Sequence, residues 1–411
     1  MYNGVERERP QSPHVQQLRI PNVAEIDFDQ LRASRLARLQ AAMNDHGIAV
    51  ALFYNPANIR YATGTEVMGV WTAGTFARYC LVPADGAPIM FEYRNSIHVS
   101  RKIMDDVRPA VGWQFLGVEG IVKARRWAES IKDALAELGC AGETLAIDKL
   151  DGYGFQALQE LGIQIGDASP ATVQARQVKT PEEIQLMLIN GPIGDTMLAE
   201  FEAAIRPGVR EYELLAVLND ALFRQHGEFM FTRLVASGTN TNPWMSEAHD
   251  KVVQPGDLVG IDTDANGYEG YVVDISRTFL CGDQATDGQK EAYRIAYDCV
   301  NGQRELMRPG MSFREFAEAA PNLPDEYKAG RYGVMAHQAG LEDEGPAIPY
   351  PDTDPPPLIP DQEIRENMVF CVECFAGKDG APYGVKLEDQ ILVTKDGAIP
   401  LCTYPFDAKL L

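Results

Sequence analysis

Residues 256–279 read GDLVGIDTDANGYEGYVVDISRTF, and this stretch decides the fold of the C-terminal half of the chain. The apolar run Leu258-Val259-Gly260-Ile261 predicts a β-strand. Asp262 and Asp264 alternate along its continuation, so we expect both side chains to leave the same face. Asn266 and Gly267 then predict a hairpin turn, which makes the stretch an antiparallel pair of strands.

The returning strand, residues 270–279, carries a third acid, Asp274, among valine and isoleucine side chains. Acids at the edge of a sheet are often turn residues that contact water, and this explanation suits Asp264 beside the turn. It does not suit Asp262 or Asp274, because a buried carboxylate is destabilising unless it is paired with a cation or binds a metal. The stretch therefore favours a metal site over a solvated sheet edge.

Further polar residues occupy similar settings later in the chain. Glu373 lies in the apolar stretch NMVFCVECFAG, and Glu388 precedes the apolar run of another strand in GVKLEDQILVT. His337 lies in MAHQAGLEDEGP, close to several acids. Carboxylates with one imidazole suit two divalent ions that share bridging ligands; iron, manganese, cobalt and zinc are all compatible. The candidate metal ligands are Asp262, Asp264, Asp274, His337, Glu373 and Glu388.

Composition limits the remaining possibilities. A chain of 411 residues predicts two domains, and its formal charge of −22 argues against nucleic acid and anionic membrane surfaces as partners. The longest apolar run is too short to cross a bilayer, and the N-terminal sequence lacks the apolar core of a signal peptide. Seven scattered cysteines indicate a reducing cytoplasm. Cys371 and Cys374 form a lone CxxC, which favours structural strand residues over a zinc site.

Two domains are also indicated by the pattern of elements. Residues 1–172 start with an irregular arm and then alternate helices with strands, which predicts an α/β domain. Residues 173–411 contain two long helices followed by strand-rich sequence, and the motif Arg-Pro-Gly occurs twice, at 206–208 and 308–310. A glutamate follows five residues after each glycine. The repetition predicts an α+β domain of two similar halves, with a site along their pseudo-two-fold axis.

The order Asp, Asp, His, Glu, Glu, in the settings IDTD, VDISRTF, MAHQAGL, VFCVECF and GVKLEDQILVT, resembles the creatinase/methionine aminopeptidase/prolidase superfamily. The resemblance covers nearly all of the chain. It implies a pita-bread C-terminal domain, residues 173–411, with a di-metal centre. It also implies a prolidase-like α/β domain, residues 1–172, and a homodimer.

Two departures from the peptidases of that superfamily affect the expected reaction. The peptidases have a histidine seven residues after the ligand histidine, where this chain has Glu344. They have another ahead of the first aspartate, at a position that matches Trp244 or Met245; His249 is close but displaced. Both departures argue against peptide cleavage, and an Xaa-Pro hydrolase stays the alternative.

The D-x-D pattern at Asp262 and Asp264, with the spacings of Tyr332 and Asp343 from His337, resembles the dimethylsulfoniopropionate lyases of this fold. That resemblance implies a centre of two divalent ions, with iron first and manganese, zinc or cobalt as alternatives. It implies that Asp343 is the catalytic base and that Tyr332 lines the substrate pocket. The small zwitterionic substrate carries a sulfonium, which favours aromatic faces. Trp71 and Trp244 are therefore further substrate-binding candidates, with ordinary core packing as the alternative for each aromatic residue.

Overall fold

The computed structural model describes residues 20–66, 77–113 and 119–411, so Trp71 lies outside the described residues. The chain divides into two compact units, residues 27–182 and residues 183–411, the latter together with the described part of the first 26 residues. The predicted domain boundary after residue 172 falls inside a helix of the first unit, Ser169–Gln177. None of the described helices is long and apolar enough to cross a membrane.

The N-terminal unit is built on a mixed six-stranded sheet, with the strand order β4-β3-β2-β1-β5-β6. Its first helix begins at Asp27, whose Oδ1 accepts a hydrogen bond from Gln30 N at 2.9 Å. Trp127, fully buried, packs against Tyr79 on the sheet with ring centroids 6.4 Å apart. The α/β class predicted from the alternation of elements is confirmed. The strands are β1 (Val50–Phe53), β2 (Tyr79–Pro83), β3 (Ile89–Glu92), β4 (Val107–Pro109), β5 (Leu145–Ile147) and β6 (Ile165–Asp167). The helices are α1 (Phe28–Asp45), α2 (Pro56–Thr63), α3 (Ile97–Ser100), α4 (Gly120–Glu137), α5 (Gly152–Glu160) and α6 (Ser169–Gln177).

The C-terminal unit consists of two halves, each with two helices followed by an antiparallel sheet. The first half contains α7 (Pro181–Ala204), α8 (Glu211–Arg224), β7 (Phe229–Met230), β8 (Leu234–Ser237), β9 (Leu258–Asn266) and β10 (Val272–Leu280). The second contains α9 (Asp287–Leu306), α10 (Phe313–Ala319), β11 (Val334–Ala339), β12 (Asp343–Pro349), β13 (Val369–Ala376), β14 (Val385–Thr394) and β15 (Gly397–Pro400). The sheets have four and five strands.

The two Arg-Pro-Gly motifs form the same turn in both halves. Gly208 and Gly310 have positive φ values of 93° and 83°, which favour glycine. Gly208 N donates to Val253 O, and Gly310 N donates to Ile364 O, both at 2.9 Å. Each turn is therefore bonded in the same way to a segment farther along its own half.

The glutamates that follow these turns also have equivalent roles. Glu213 Oε2 accepts from Arg210 N, and Glu315 Oε2 accepts from Ser312 N, both at 2.8 Å. Each side chain thus satisfies a backbone donor at the start of α8 or α10. With the repeated turns, these bonds confirm the predicted duplication.

The hairpin of β9 and β10 differs from the prediction at its turn. The strands pair in register, with Asp274 opposite Asp264, but residues 267–271 connect them, so the prediction of a two-residue turn at Asn266 and Gly267 was wrong. Asn190 of α7 explains the longer loop, because its Oδ1 accepts from Tyr268 N at 2.6 Å and its Nδ2 donates to Tyr268 O at 3.1 Å. A distant helix therefore fixes the turn.

Candidate metal centre and active site

All six predicted metal ligands belong to the C-terminal unit, and the structure brings them together. β9 and β10 supply the aspartates, β11 supplies the histidine, and β13 and β14 supply the glutamates. Glu373 and Glu388 face each other directly across β13 and β14. Ser276 Oγ links the two sheets, since it lies 2.8 Å from Asp262 Oδ1 and 2.6 Å from Glu388 Oε2.

His337 faces three of the acids through one ring nitrogen. Its Nε2 lies 3.3 Å from Asp274 Oδ2, 3.5 Å from Glu373 Oε1 and 3.7 Å from Glu388 Oε1. The other nitrogen, Nδ1, lies 3.1 Å from Gln338 O. A proton on Nδ1, donated to that carbonyl, would leave Nε2 able to bind a metal ion in place of its own proton, the arrangement usual for a metal-binding histidine.

Two carboxylate oxygens in this group lack a hydrogen-bond donor. Asp274 Oδ2 and Glu373 Oε1 are buried and have no hydrogen-bond partner among the described residues. A buried oxygen without a donor is destabilising, and several buried acids facing each other add repulsion. A divalent cation would relieve both. The donor set of carboxylates and one imidazole therefore fits a metal ion.

Asp343, the predicted base, lies beside a second group of acids. Asp264, Asp274 and Asp343 each direct a carboxylate oxygen to within 4.8 Å of the others. Thr232 Oγ1 also donates a hydrogen bond to Asp264 Oδ2. Asp343 is an exposed residue, but its carboxyl group has limited contact with water. This limited hydration is the largest effect on the pKa of Asp343, which is raised above its ordinary value.

Burial changes the proton affinity of the whole cluster. Loss of hydration is the main reason that the pKa of Asp262 rises to about 7, that of Asp264 to about 7 and that of Glu373 to about 8. Burial lowers the pKa of His337, but hydrogen bonding to Glu388 and the charges of Glu373 and Glu388 raise it to about 10. Without a metal, the centre therefore retains protons near neutral pH.

Lys386 is the main residue of the site that sequence reasoning missed. Its Nζ lies 2.9 Å from Glu373 Oε2, 3.1 Å from Glu388 Oε2 and 3.3 Å from Asp262 Oδ2. Burial lowers the pKa of Lys386, but these three carboxylates raise it well above its ordinary value. The signal was its spacing, because a lysine two residues before Glu388 on a strand shares the glutamate's face.

The aromatic candidates Trp244 and Tyr332 lie together beside the centre. Their rings pack edge to face, with centroids 5.3 Å apart. Lys386 Nζ lies 4.7 Å from the centre of the Trp244 ring and 5.8 Å from that of Tyr332. A cavity lined by Trp244, Asp262 and Lys386, with apolar side chains such as Ile261, opens next to them.

The residues at or near the lost histidine positions differ in burial and in hydrogen bonding. Glu344 is buried, and its Oε1 accepts a hydrogen bond from Leu341 N at 3.2 Å. His249 is exposed, and its Nε2 lies 3.0 Å from Ser246 Oγ. Met245 is also exposed.

Cys371 and Cys374 are both buried residues of β13 and carry free thiols, as expected for strand residues. The thiol of Cys371 nevertheless lies within the ligand group, since its Sγ is within 4.8 Å of ligand atoms of Asp274, His337 and Glu388. This proximity follows from the pairing of Cys371 with His337 across β13 and β11.

Comparison with known proteins agrees with this architecture. Residues 185–395 match metallopeptidase family M24, and residues 35–178 match the creatinase/prolidase N-terminal domain. Among solved structures, the chain is similar to the Xaa-Pro dipeptidase from Bacillus anthracis, with a TM-score of 0.74, 23% identity, and coverage of 92% of this chain and 99% of that one. The prolidase from Thermococcus sibiricus gives a TM-score of 0.76 at 22% identity, covering 91% and 98%. These likenesses show the pita-bread fold.

Curated relatives include both lyases and peptidases. The chain is 33% identical to "Dimethylsulfoniopropionate lyase DddP" of Roseovarius nubinhibens, over 94% of this chain and 88% of that protein. It is 27% identical to an Xaa-Pro dipeptidase of Pyrococcus furiosus, over 89% and 96%. The chain therefore belongs to metallopeptidase family M24, in its two-domain form with a creatinase/prolidase N-terminal domain.

Proposed function

We propose that this protein is a metal-dependent lyase that cleaves dimethylsulfoniopropionate to dimethyl sulfide and acrylate. The observation that carries the proposal is the position of the Asp343 carboxyl group, which lies against the ligand acids Asp264 and Asp274 on a residue that remains exposed. The 33% identity to a lyase of that name supports the same assignment.

The reaction requires a base next to the bound carboxylate of the substrate. Asp343 would remove a proton from the carbon adjacent to that carboxylate, and the electron pair of the broken C–H bond would form the double bond of acrylate. The C–S bond then breaks, and its electrons leave with the neutral sulfide. Because a neutral sulfide needs no proton to leave, the peptidase histidine replaced by Glu344 is not required.

The raised pKa of Asp343 suits this role. Proton transfer is most efficient when the pKa of the base approaches the working pH, and limited hydration is the largest effect that shifts this carboxyl in that direction. A divalent metal held by the predicted ligands would draw electron density from the substrate carboxylate and make the adjacent carbon more acidic. Iron is the proposed ion, with manganese, zinc or cobalt as alternatives.

The substrate would bind between the carboxylate centre and the aromatic residues. Tyr332 and Trp244 offer ring faces to the sulfonium, in addition to their contacts with Lys386. Trp71 is proposed for the same function. A homodimer, proposed from the resemblance to two-domain members of the superfamily, would act on this small zwitterion without a nucleic-acid or membrane partner.

An Xaa-Pro hydrolase is the second candidate. It is favoured by the similarity to the Pyrococcus furiosus dipeptidase over 89% of this chain. The hydrolase would need groups that replace the two missing histidines. Glu344 is a buried carboxylate that accepts a hydrogen bond from Leu341 N, and His249 is exposed with its Nε2 3.0 Å from Ser246 Oγ.

Parallel assays distinguish the two candidates. Protein purified without air and loaded with Fe(II) is given dimethylsulfoniopropionate, with dimethyl sulfide measured in the headspace, and separately an Xaa-Pro dipeptide, with proline release measured. We expect dimethyl sulfide and no proline from the wild type, and neither product from Asp343→Ala. Proline release without dimethyl sulfide would refute the lyase and support the hydrolase.

A further inference from the structure

Lys386 occupies a position among the carboxylates that a cation would take. Its Nζ contacts one oxygen from each of Asp262, Glu373 and Glu388, at 3.3, 2.9 and 3.1 Å, and lies 2.9 Å from Ser276 Oγ. The residue is 5% exposed. The ammonium group is therefore enclosed by oxygen atoms, and its strand, β14, lies between β13 and β15.

The other oxygens of the same glutamates point elsewhere. Glu373 Oε1 and Glu388 Oε1 lie 3.5 and 3.7 Å from His337 Nε2, which is also 3.3 Å from Asp274 Oδ2. The cluster thus has two places for positive charge on opposite oxygens of one glutamate pair. We call them the lysine subsite, around Lys386 Nζ, and the histidine subsite, around His337 Nε2.

The two subsites differ in whether their carboxylate oxygens already have a bonding partner. In the histidine subsite, Asp274 Oδ2 and Glu373 Oε1 have no hydrogen-bond partner within the described part of the chain. In the lysine subsite, Asp262 Oδ2, Glu373 Oε2 and Glu388 Oε2 all contact the ammonium. A metal ion entering the histidine subsite meets two carboxylate oxygens that lack a hydrogen-bond donor, whereas an ion entering the lysine subsite must replace an ammonium that three carboxylates contact.

We propose that Lys386 makes this centre bind its divalent ions in sequence, with the first ion in the histidine subsite and the second only on displacement of the ammonium. In its present position the ammonium also lies 4.7 Å from the centre of the Trp244 ring and 5.8 Å from that of Tyr332, so it has cation–π contacts besides the three carboxylates. This inference rests on the metal-binding part of the proposed function and not on the elimination reaction.

The sequence of binding predicts a large difference between two dissociation constants. We expect the second ion to bind at least about 100-fold more weakly than the first, because breaking a buried, fully bonded ion pair is strongly unfavourable. Removal of the ammonium should bring the two constants closer together. Lys386→Met tests this, since methionine keeps much of the side-chain volume and removes the charge.

Metal-free protein is titrated with Mn(II), and binding is followed by calorimetry and by electron paramagnetic resonance. The wild type should bind one ion tightly and show the six-line spectrum of an isolated Mn(II) up to one equivalent. Lys386→Met should bind two ions tightly and show the broadened spectrum of a coupled pair. Lys395→Met, which changes an exposed lysine in the turn after β14, should match the wild type.

Two tight ions of similar affinity in the wild type would overturn the proposal, and so would a Lys386→Met protein that binds like the wild type. If Lys386→Met fails to fold, the wild-type titration and a titration of Lys386→Arg still test the proposal. Because arginine retains a cation, Lys386→Arg should also bind one ion tightly. Stepwise binding in a protein that releases no dimethyl sulfide would support this inference while refuting the lyase.

Discussion

His337 Nε2 lies 3.3 Å from Asp274 Oδ2, an oxygen that receives no hydrogen bond from any described residue. The pair joins β11 of one half of the duplicated domain to β10 of the other. Each half of the domain therefore supplies a predicted metal ligand. Without a metal, the stability of the centre depends on which of its groups carry protons.

The metal-free protein should lose stability as pH rises from 5 to 9. The pKa values of Asp262 and Glu373 are raised to about 7 and about 8 in the folded state, compared with roughly 4 for unfolded acids. The folded state therefore binds more protons than the unfolded state between those values, so the free energy of unfolding falls with rising pH. His337, raised to about 10, acts in the same direction because its stabilisation is lost as pH rises toward that value.

Thermal unfolding of chelator-treated and Mn(II)-loaded protein across this pH range checks the prediction. Metal competes with protons for the same ligands, so the loaded protein should show a flat or rising melting temperature. A parallel fall in both preparations would mean that general charge repulsion in this acidic chain, and not the centre, causes the effect.

Asp343→Asn should reduce the rate of dimethyl sulfide release by at least about 100-fold, the usual range for loss of a positioned base. The amide keeps the size of the side chain but cannot accept the proton. Metal content, measured by elemental analysis, should stay at the wild-type value. Loss of metal together with activity would instead make Asp343 a ligand, a role that its position beside Asp264 and Asp274 also permits.

Trp244→Ala should raise the KM for the sulfonium substrate roughly 2- to 30-fold, because an aromatic face is worth about 0.5–2 kcal/mol to a bound cation. Trp244→Phe, which retains a ring, should retain most of the affinity. Steady-state kinetics of both variants tests this role. Equal KM values for wild type and Trp244→Ala would show that the ring packs against Tyr332 and Phe375 without contacting substrate.

Asp389→Asn should lower the free energy of unfolding by about 3–5 kcal/mol, because it leaves buried positive charge unpaired. Asp389 contacts Arg277 and Arg304 at 2.8 Å each, and the Arg277–Asp389 pair is 2% exposed on both sides. Asp220→Asn, which breaks an exposed pair with Arg224, should change it by less than about 1 kcal/mol. Urea unfolding measures both variants. A similar loss of unfolding free energy in the two would contradict the role of Asp389 as the partner of a buried charge.

The cluster of candidate metal ligands could be predicted because Asp262, Asp274 and Glu373 are acids in apolar strands, where a buried carboxylate needs a cation. The turn after Asn266 could not, because Asn190 on a distant helix fixes it. Lys386 was missed for a different reason. Its spacing from Glu388 was a signal, but a strand lysine commonly extends its ammonium to water, whereas this one points inward to the carboxylates.

The contact of Asp343 with Asp264 could not be predicted from the sequence either, because it joins residues from the two halves of the domain. The resemblance to a known family supplied the role of Asp343, whereas the residue's own setting in a loop full of acids did not distinguish a base from a solvated side chain. The fold class was easier to predict, because the Arg-Pro-Gly repeat and the alternation of elements are properties of short segments.

Elimination at the carbon next to the carboxylate is the central claim, and a labelled substrate tests it most directly. Dimethylsulfoniopropionate deuterated at both positions of that carbon is given to the Fe(II)-loaded enzyme, and the three-carbon product is examined by nuclear magnetic resonance. The account predicts acrylate with one deuterium at that carbon, formed more slowly than from unlabelled substrate. 3-Hydroxypropionate that keeps both deuterium atoms would mean that water displaces the sulfide, and would contradict proton removal by Asp343.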